Sequence, residues 1–257
     1  MPPPHHASFW IALLVGIASG SIGPFILLRR MALVGDALSH VALPGIALAL
    51  IYGIDPFYGV IVFLIAAAFL VFWLEARSRV PPDAIVGLLF TASLAIGILM
   101  LPSADVIESL FGAFPVLSVP FLVLILCTAA ILAGLCFLLA RRFLFRIVSP
   151  DLAKVEGVGR AYDLALLLIF AMIVALGIKL VGTLLMGALT IIPASIAKNL
   201  SRSMRRYIIT SAVLGGAISV AGVWLAGAFR LLPGPAIVLL GIALFLVSLP
   251  VVRRRAA

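Results

Sequence analysis

The chain has 257 residues, of which 65 % are apolar and only 11 % charged, with a formal net charge of +9. So few polar residues cannot cover a water-facing surface, and apolar windows of about 18 to 22 residues recur along the whole length. This excludes a soluble globular fold and predicts an all-α, polytopic transmembrane bundle built as one domain over 1–257. The basic excess does not call for nucleic acid, because lysines and arginines sit at the ends of apolar blocks, where they orient a membrane chain.

The start, MPPPHHASFW, lacks the basic segment of a cleaved signal, so the first apolar block reads as a retained helix and His5 and His6 as an exposed tail. Windows bounded by charge, proline or glycine predict helices over 9–28, 32–52, 57–75, 84–101, 119–140, 162–178, 180–197, 207–228 and 235–250. That is nine spans, with eight as the alternative. Gly16 and Gly20 in the first give a spacing that lets helices pack closely. The block over 103–120 is amphipathic and proline-punctuated, as in an interfacial or re-entrant piece. Cys127 and Cys136 fall on different faces of one helix and read as packing residues. The 140–163 connection carries an N-cap signal at Ser149 and Pro150 followed by DLAKVEGV, predicting a short helix along the membrane face. IKLVG joins the sixth and seventh windows, either as a tight hairpin or as a broken helix with one shortened partner.

Nine alternating helices put Arg29, Arg30, Arg77, Arg79, the basic residues of 141–160 and 198–206, and Arg253 to Arg255 on one side. Only Lys179 and Arg230 fall on the other. The basic side is then cytoplasmic, with the N-terminus outside and the C-terminus inside.

The block VGDALSHVALPGIALAL places Asp36 and His40 four residues apart, on one helix face. Counting about 1.5 Å per residue from Arg30 puts them about 9 Å and 15 Å into a core about 30 Å thick. A charge there costs at least a few kcal/mol unless something meets it. Three readings compete: a structural Asp–His hydrogen bond, a proton relay, and transient binding of a divalent metal by carboxylate and imidazole. Pro44, one turn on, frees a backbone carbonyl at the same depth. Thr183, Thr190 and Pro193 in GTLLMGALTIIPASIAKNL are candidates for lining the same route, although membrane hydroxyls commonly bond back to their own helix.

No phosphate-binding glycine loop occurs, so an energised version needs ATP handled by another polypeptide. A membrane aspartyl protease would want a second aspartate, for which Asp163 is the nearest match, and a zinc protease would want H-E-x-x-H, which is absent. These features set an enzyme aside.

RRMALVGDALSHVALPGIALAL, VSPDLAKVEGV, VGTLLMGALTIIPASIAKNL and LPGPAIVLLGIALFLVSL resemble corresponding blocks of the membrane permeases of bacterial ABC importers for zinc, manganese and iron, most closely the zinc permease. The resemblance runs from about Phe9 to Leu249. It implies an inner-membrane, multi-pass translocation subunit that dimerises with a second copy, receives metal from an extracytoplasmic binding protein and is driven by a separate ABC ATPase. No permanent cofactor is implied; Zn²⁺, or Mn²⁺ or Fe²⁺, is cargo. The family's G-D-x-x-[SA]-H block falls on Gly35, Asp36, Ser39 and His40, implying that Asp36 and His40 hold metal in transit. Its ATPase-coupling segment falls on Ser149 to Val158, with Ser149, Asp151, Leu152, Ala153, Val155 and Gly157 as the contact residues. Some zinc permeases carry a histidine-rich outward loop, and this chain has only His5 and His6 at its end, so zinc over manganese rests on overall likeness. A passive carrier or channel without an ATPase is the alternative.

Overall fold

A backbone in hydrocarbon must satisfy its own N–H and C=O groups within the segment, so each apolar block becomes a helix. The computed structural model describes residues 6–100, 118–182 and 186–256, and among these the regular elements are ten α-helices. They are α1 (His6–Leu28), α2 (Val34–Ile51), α3 (Pro56–Arg77), α4 (Pro82–Met100), α5 (Val119–Val148), α6 (Pro150–Val155), α7 (Ala161–Val181), α8 (Met186–Leu200), α9 (Met204–Phe229) and α10 (Pro233–Ala256). Seven of these are long and apolar enough to cross a membrane; α4 contributes a shorter apolar helix, and α8 has only 15 residues.

The elements differ from expectation where local chemistry outweighs hydropathy. α5 runs on to Val148 rather than stopping near 140, because ARRFLFRIV holds no glycine or proline and arginine and leucine are good helix formers. Most of the expected loop is therefore helix. α2 starts at Val34 rather than 32, since Arg30 takes a left-handed conformation (φ 59°) in the turn after α1. α7 continues through IKLV and stops at Gly182, whose φ of 84° favours glycine; α8 begins at Met186, and the choice between tight hairpin and broken helix falls on 183–185, outside the described residues. α1 begins at His6, so that histidine is helical, while His5 lies outside the described residues. The expected interfacial piece over 103–120 also lies outside them, apart from 118–120. Between α2 and α3 the turn is specified locally: Gly53 is left-handed, and Asp55 caps α3 by accepting the Phe57 N–H at 2.8 Å ahead of Pro56.

The core draws on every long helix, with its largest share from α1, α2, α3, α5 and α7. Phe25 and Phe143 meet edge to face at 5.5 Å, and Ile22, Phe170 and Ile173 are fully enclosed beside them. α1 and α9 cross with their backbones in contact. A side chain at Gly16 would fall on the Gly215 carbonyl, one at Gly20 on the Ser211 carbonyl, and Ser211 donates its hydroxyl to the Gly20 carbonyl at 2.5 Å. The close-packing role read from Gly16 and Gly20 is thus borne out. Cys136 is buried and Cys127 exposed, both as free thiols.

At one end of the bundle Arg29 just past α1, the last turns of α3 and α5 and the first turn of α7 share an ion network. Arg29 Nη2 lies 2.8 Å from Glu75 Oε2, Arg29 Nη1 lies 3.6 Å from Asp163 Oδ1, and Arg146 Nη2 lies 2.9 Å from Asp163 Oδ2. All four side chains are 16 % exposed or less. Deleting one partner of such a buried pair leaves an uncompensated charge and costs about 3–5 kcal/mol.

The α1–α9 crossing yields a stability test. Gly20→Val forces two backbones apart and is expected to destabilise the detergent-purified chain by about 1–3 kcal/mol or more, read as a lowered thermal unfolding midpoint; an unchanged midpoint would show that the crossing tolerates a side chain.

Candidate functional site

α2 is the most deeply enclosed of the long helices, and from Val34 to Ala47 every residue but Asp36 is buried. Asp36 lies half-buried in the first turn, and His40 follows one turn on with 5 % exposure. Because α2 begins at Val34, the two residues sit about 3 Å and 9 Å above the helix start, not about 9 Å and 15 Å above a helix counted from Arg30. The start of α2 is itself inside the bundle, with Val34 and Gly35 buried against α7 and α8.

Two neighbours shape the site. Gly35 rests against the backbone of Gly187 on α8, and the Asp36 carboxylate occupies the place that a Gly187 side chain would need. On the other side, the His40 imidazole meets Phe90 of α4 edge to face, centroids 4.9 Å apart at 89°. Ser39 donates back to the Gly35 carbonyl at 2.7 Å and so does not serve the pair. His40 Nδ1 is buried without a partner, and among the described residues neither side chain of the pair makes a hydrogen bond or ion pair. The structural Asp–His hydrogen bond is therefore not formed. Asp163 is bound by Arg146 in the end network and does not join Asp36, which removes the aspartyl-protease pairing as well.

Among the described residues no three His, Cys, Asp or Glu side chains gather where a metal could bind. One chain thus offers a carboxylate and an imidazole, together with the His40 carbonyl that Pro44, lacking an N–H, leaves without its helical donor. The four-ligand cage of a structural zinc site is closed, whereas two side-chain donors leave coordination open.

The residues expected to line a pathway divide. Pro44 is buried in α2 and packs towards Gly97 of α4, and α2 continues as helix through it. Pro193 and Thr190 are buried in α8, and Thr190 donates back to the Met186 carbonyl at 3.3 Å, the plainer of its two readings. Thr183 lies outside the described residues.

The segment expected to couple forms α6. Ser149 stands at its N-cap position but its hydroxyl makes no capping bond; Pro150 supplies the first helical φ instead. The helix closes with Val158 N–H on the Ala153 carbonyl at 2.8 Å and Gly157 N–H on the Lys154 carbonyl at 3.2 Å, an arrangement that needs Gly157 left-handed, at φ 75°. Ala153 is fully buried and anchors α6, whereas Leu152 is 61 % and Val155 86 % exposed. Asp151 pairs with Lys154 at 3.2 Å on the open surface.

Sequence reasoning missed Gly187 and Phe90, because neither residue type advertises a contact with an ionisable group. It also used Arg29 and Arg146 only to orient the chain. The opposite charges closing WLEAR and opening AYD were the available signal for the network.

The family model for the ABC 3 transport family matches residues 5–252. The manganese import system permease protein ScaB of Streptococcus gordonii is 33 % identical over 247 residues, covering 92 % of this chain and 87 % of that one. The high-affinity zinc uptake system membrane protein ZnuB of Haemophilus influenzae is 28 % identical, covering 93 % and 95 %. A solved structure, PsaBC from Streptococcus pneumoniae in complex with Fab, superposes with a TM-score of 0.84 at 31 % identity over 97 % of this chain and 94 % of that one. The chain therefore belongs to the ABC 3 transport family. It is the permease of a metal ABC importer, a multi-pass protein of the bacterial inner membrane, and not an enzyme, ATP hydrolysis residing on a separate subunit. Identity to a manganese-named relative is at least as high as to a zinc-named one, so the expected closeness to the zinc permease does not select the metal.

The Asp36–Gly187 contact is testable without reference to transport. Gly187→Ala is expected to destabilise the chain, and to do so less in an Asp36→Ala background, with a coupling energy of about 0.5–3 kcal/mol in a double-mutant cycle. Additive effects would show that the carboxylate does not lean on α8.

Proposed function

We propose that Asp36 and His40 hold a divalent first-row cation on its way to the cytoplasm. The observation that carries this reading is the buried, unpartnered His40 Nδ1 one turn from an unpartnered carboxylate. A neutral imidazole and a carboxylate suit zinc and manganese alike. Zinc follows from the likeness of the sequence blocks; manganese is the second reading, favoured by the manganese-named relatives. Incomplete coordination favours release, and a second copy of the chain brought to the same axis doubles the donors. A homodimer around a central path is therefore part of the proposal.

The same reading has nine crossings, the N-terminus outside and the C-terminus in the cytoplasm. Its support is that alternation gathers sixteen of the 18 lysines and arginines on one side. The ion network also brings the ends of α1, α3 and α5 and the start of α7 to one face, as alternation requires. Asn199 at the end of α8 donates to Ser248 of α10 at 3.0 Å, in keeping with two more ends on that face. α6 lies at this end, and its exposed Leu152 and Val155, with Ser149, Asp151 and Gly157 shaping the turn, meet the ATPase. The extracytoplasmic binding protein delivers metal at the opposite end.

Asp36→Ala and His40→Ala are each expected to reduce metal accumulation at least tenfold in cells that depend on this permease, while the ATPase still co-purifies. Elemental analysis for zinc and manganese reads both the loss and the cargo. Wild-type uptake in both variants would remove the site, and a complex that hydrolyses no ATP while passing metal down its gradient would instead identify a passive carrier.

A further inference from the structure

The ion network at the α6 end carries more than helix packing. Arg146 uses all three of its guanidinium nitrogens: Nε donates to Asp163 Oδ2 at 2.9 Å, Nη2 lies 2.9 Å from the same oxygen as an ion pair, and Nη1 donates to the carbonyl of Pro150, the first residue of α6, at 3.2 Å. The planar fork fixes the two partners relative to each other, which a lysine could not do. Asp163 is likewise divided, its Oδ2 facing Arg146 and its Oδ1 facing Arg29 at 3.6 Å. Arg29 holds Glu75 at the end of α3 and stands at the start of the short turn into α2. That turn is pinned by Met31 N–H on the Ile26 carbonyl at 3.1 Å and Val34 N–H on the Met31 carbonyl at 3.0 Å. Asp36 follows Val34 by two residues. An unbroken series of polar contacts and one pinned turn thus runs from α6 to the proposed transit site.

The surroundings give the series room to act. A cavity of about 270 Å³ opens between Arg29, Arg30, Arg146, Pro150 and Asp163, whereas α1 and α9 cross with their backbones in contact. The Arg29, Arg146 and Asp163 side chains are 16 % exposed or less, so water screens their charges and replaces their partners less than it does for the exposed Arg30 and Pro150. A displacement of Pro150 must therefore drag Arg146 and Asp163 with it or break the pair outright.

We propose that Asp163 and Arg146 are positioning residues of the transport cycle: they transmit movement of α6 to Arg29 and so to the helix bearing Asp36 and His40, and set how much metal passes per ATP hydrolysed. The inference rests on the reading of α6 as the ATPase contact. Spatial continuity alone does not establish coupling, so the test must measure coupling itself.

The experiment uses the permease–ATPase complex in lipid vesicles, with ATP hydrolysis and Zn²⁺ or Mn²⁺ accumulation measured together. Asp163→Asn and Arg146→Lys are expected to retain the ATPase and to hydrolyse ATP within about twofold of wild type, while metal moved per ATP falls at least tenfold for the first and severalfold for the second. The charge swap Arg146→Asp with Asp163→Arg is expected to recover part of the ratio lost in Arg146→Asp alone. A wild-type ratio in both single variants overturns the proposal, as does failure of both to assemble, which would assign the network to folding. Leu152→Asp with Val155→Asp tests the underlying reading separately: if this variant keeps its ATPase, α6 is not the contact, whatever the ratio in the network variants.

Discussion

An imidazole enclosed in the bundle with a free ring nitrogen is the constraint on which the rest of the account depends. Burying a polar nitrogen without a hydrogen bond costs on the order of 1–3 kcal/mol, and an ionised carboxylate in the same region adds more. The position of Asp36 in the first turn of α2 offsets part of this, since the helix N-terminus favours a negative charge by about 0.3–1 kcal/mol. The remainder is unmet within one chain. A cation in transit, as proposed, would meet both groups at once, which is the simplest physical reason for keeping them.

Packing then holds the pair in place. The near absence of side chains at Gly35 and Gly187 lets α2 and α8 touch, and the space saved is occupied by the Asp36 carboxylate. Phe90 stands edge-on to the His40 ring and limits its rotation. α8 packs against α1, α2 and α9, and Gly187 in its first turn stands against Asp36. The α1–α9 crossing supports α8 from behind, where Gly23 receives the Thr190 carbonyl.

Much of this was legible in the chain. Apolar block length predicted an all-helical bundle and the order of the described helices, because hydrocarbon leaves a backbone little choice, and the i, i+4 spacing of Asp36 and His40 placed them on one face. Gly16 and Gly20 were readable as a crossing, though not their partner on α9, some 191 residues away in sequence at the Ser211–Gly20 bond. What could not be read was tertiary: that Gly187 faces Asp36, that Phe90 faces His40, and that Arg29, Glu75, Arg146 and Asp163 converge. Helix boundaries shifted where a single backbone angle decided them, at Arg30 and Gly182, and where propensity carried α5 past the edge of its apolar block. The likeness to zinc permeases held at the level of family and lost its metal preference against manganese-named relatives, since an Asp–His pair fits either ion.

The central claim is that His40 nitrogen binds the transported cation. The most direct measurement is electron–nuclear double resonance of Mn²⁺ bound to the assembled permease–ATPase complex. The account predicts a nitrogen hyperfine coupling of imidazole type that disappears in His40→Ala. Bound Mn²⁺ showing no nitrogen coupling in the wild type, or a coupling that persists without His40, would contradict it.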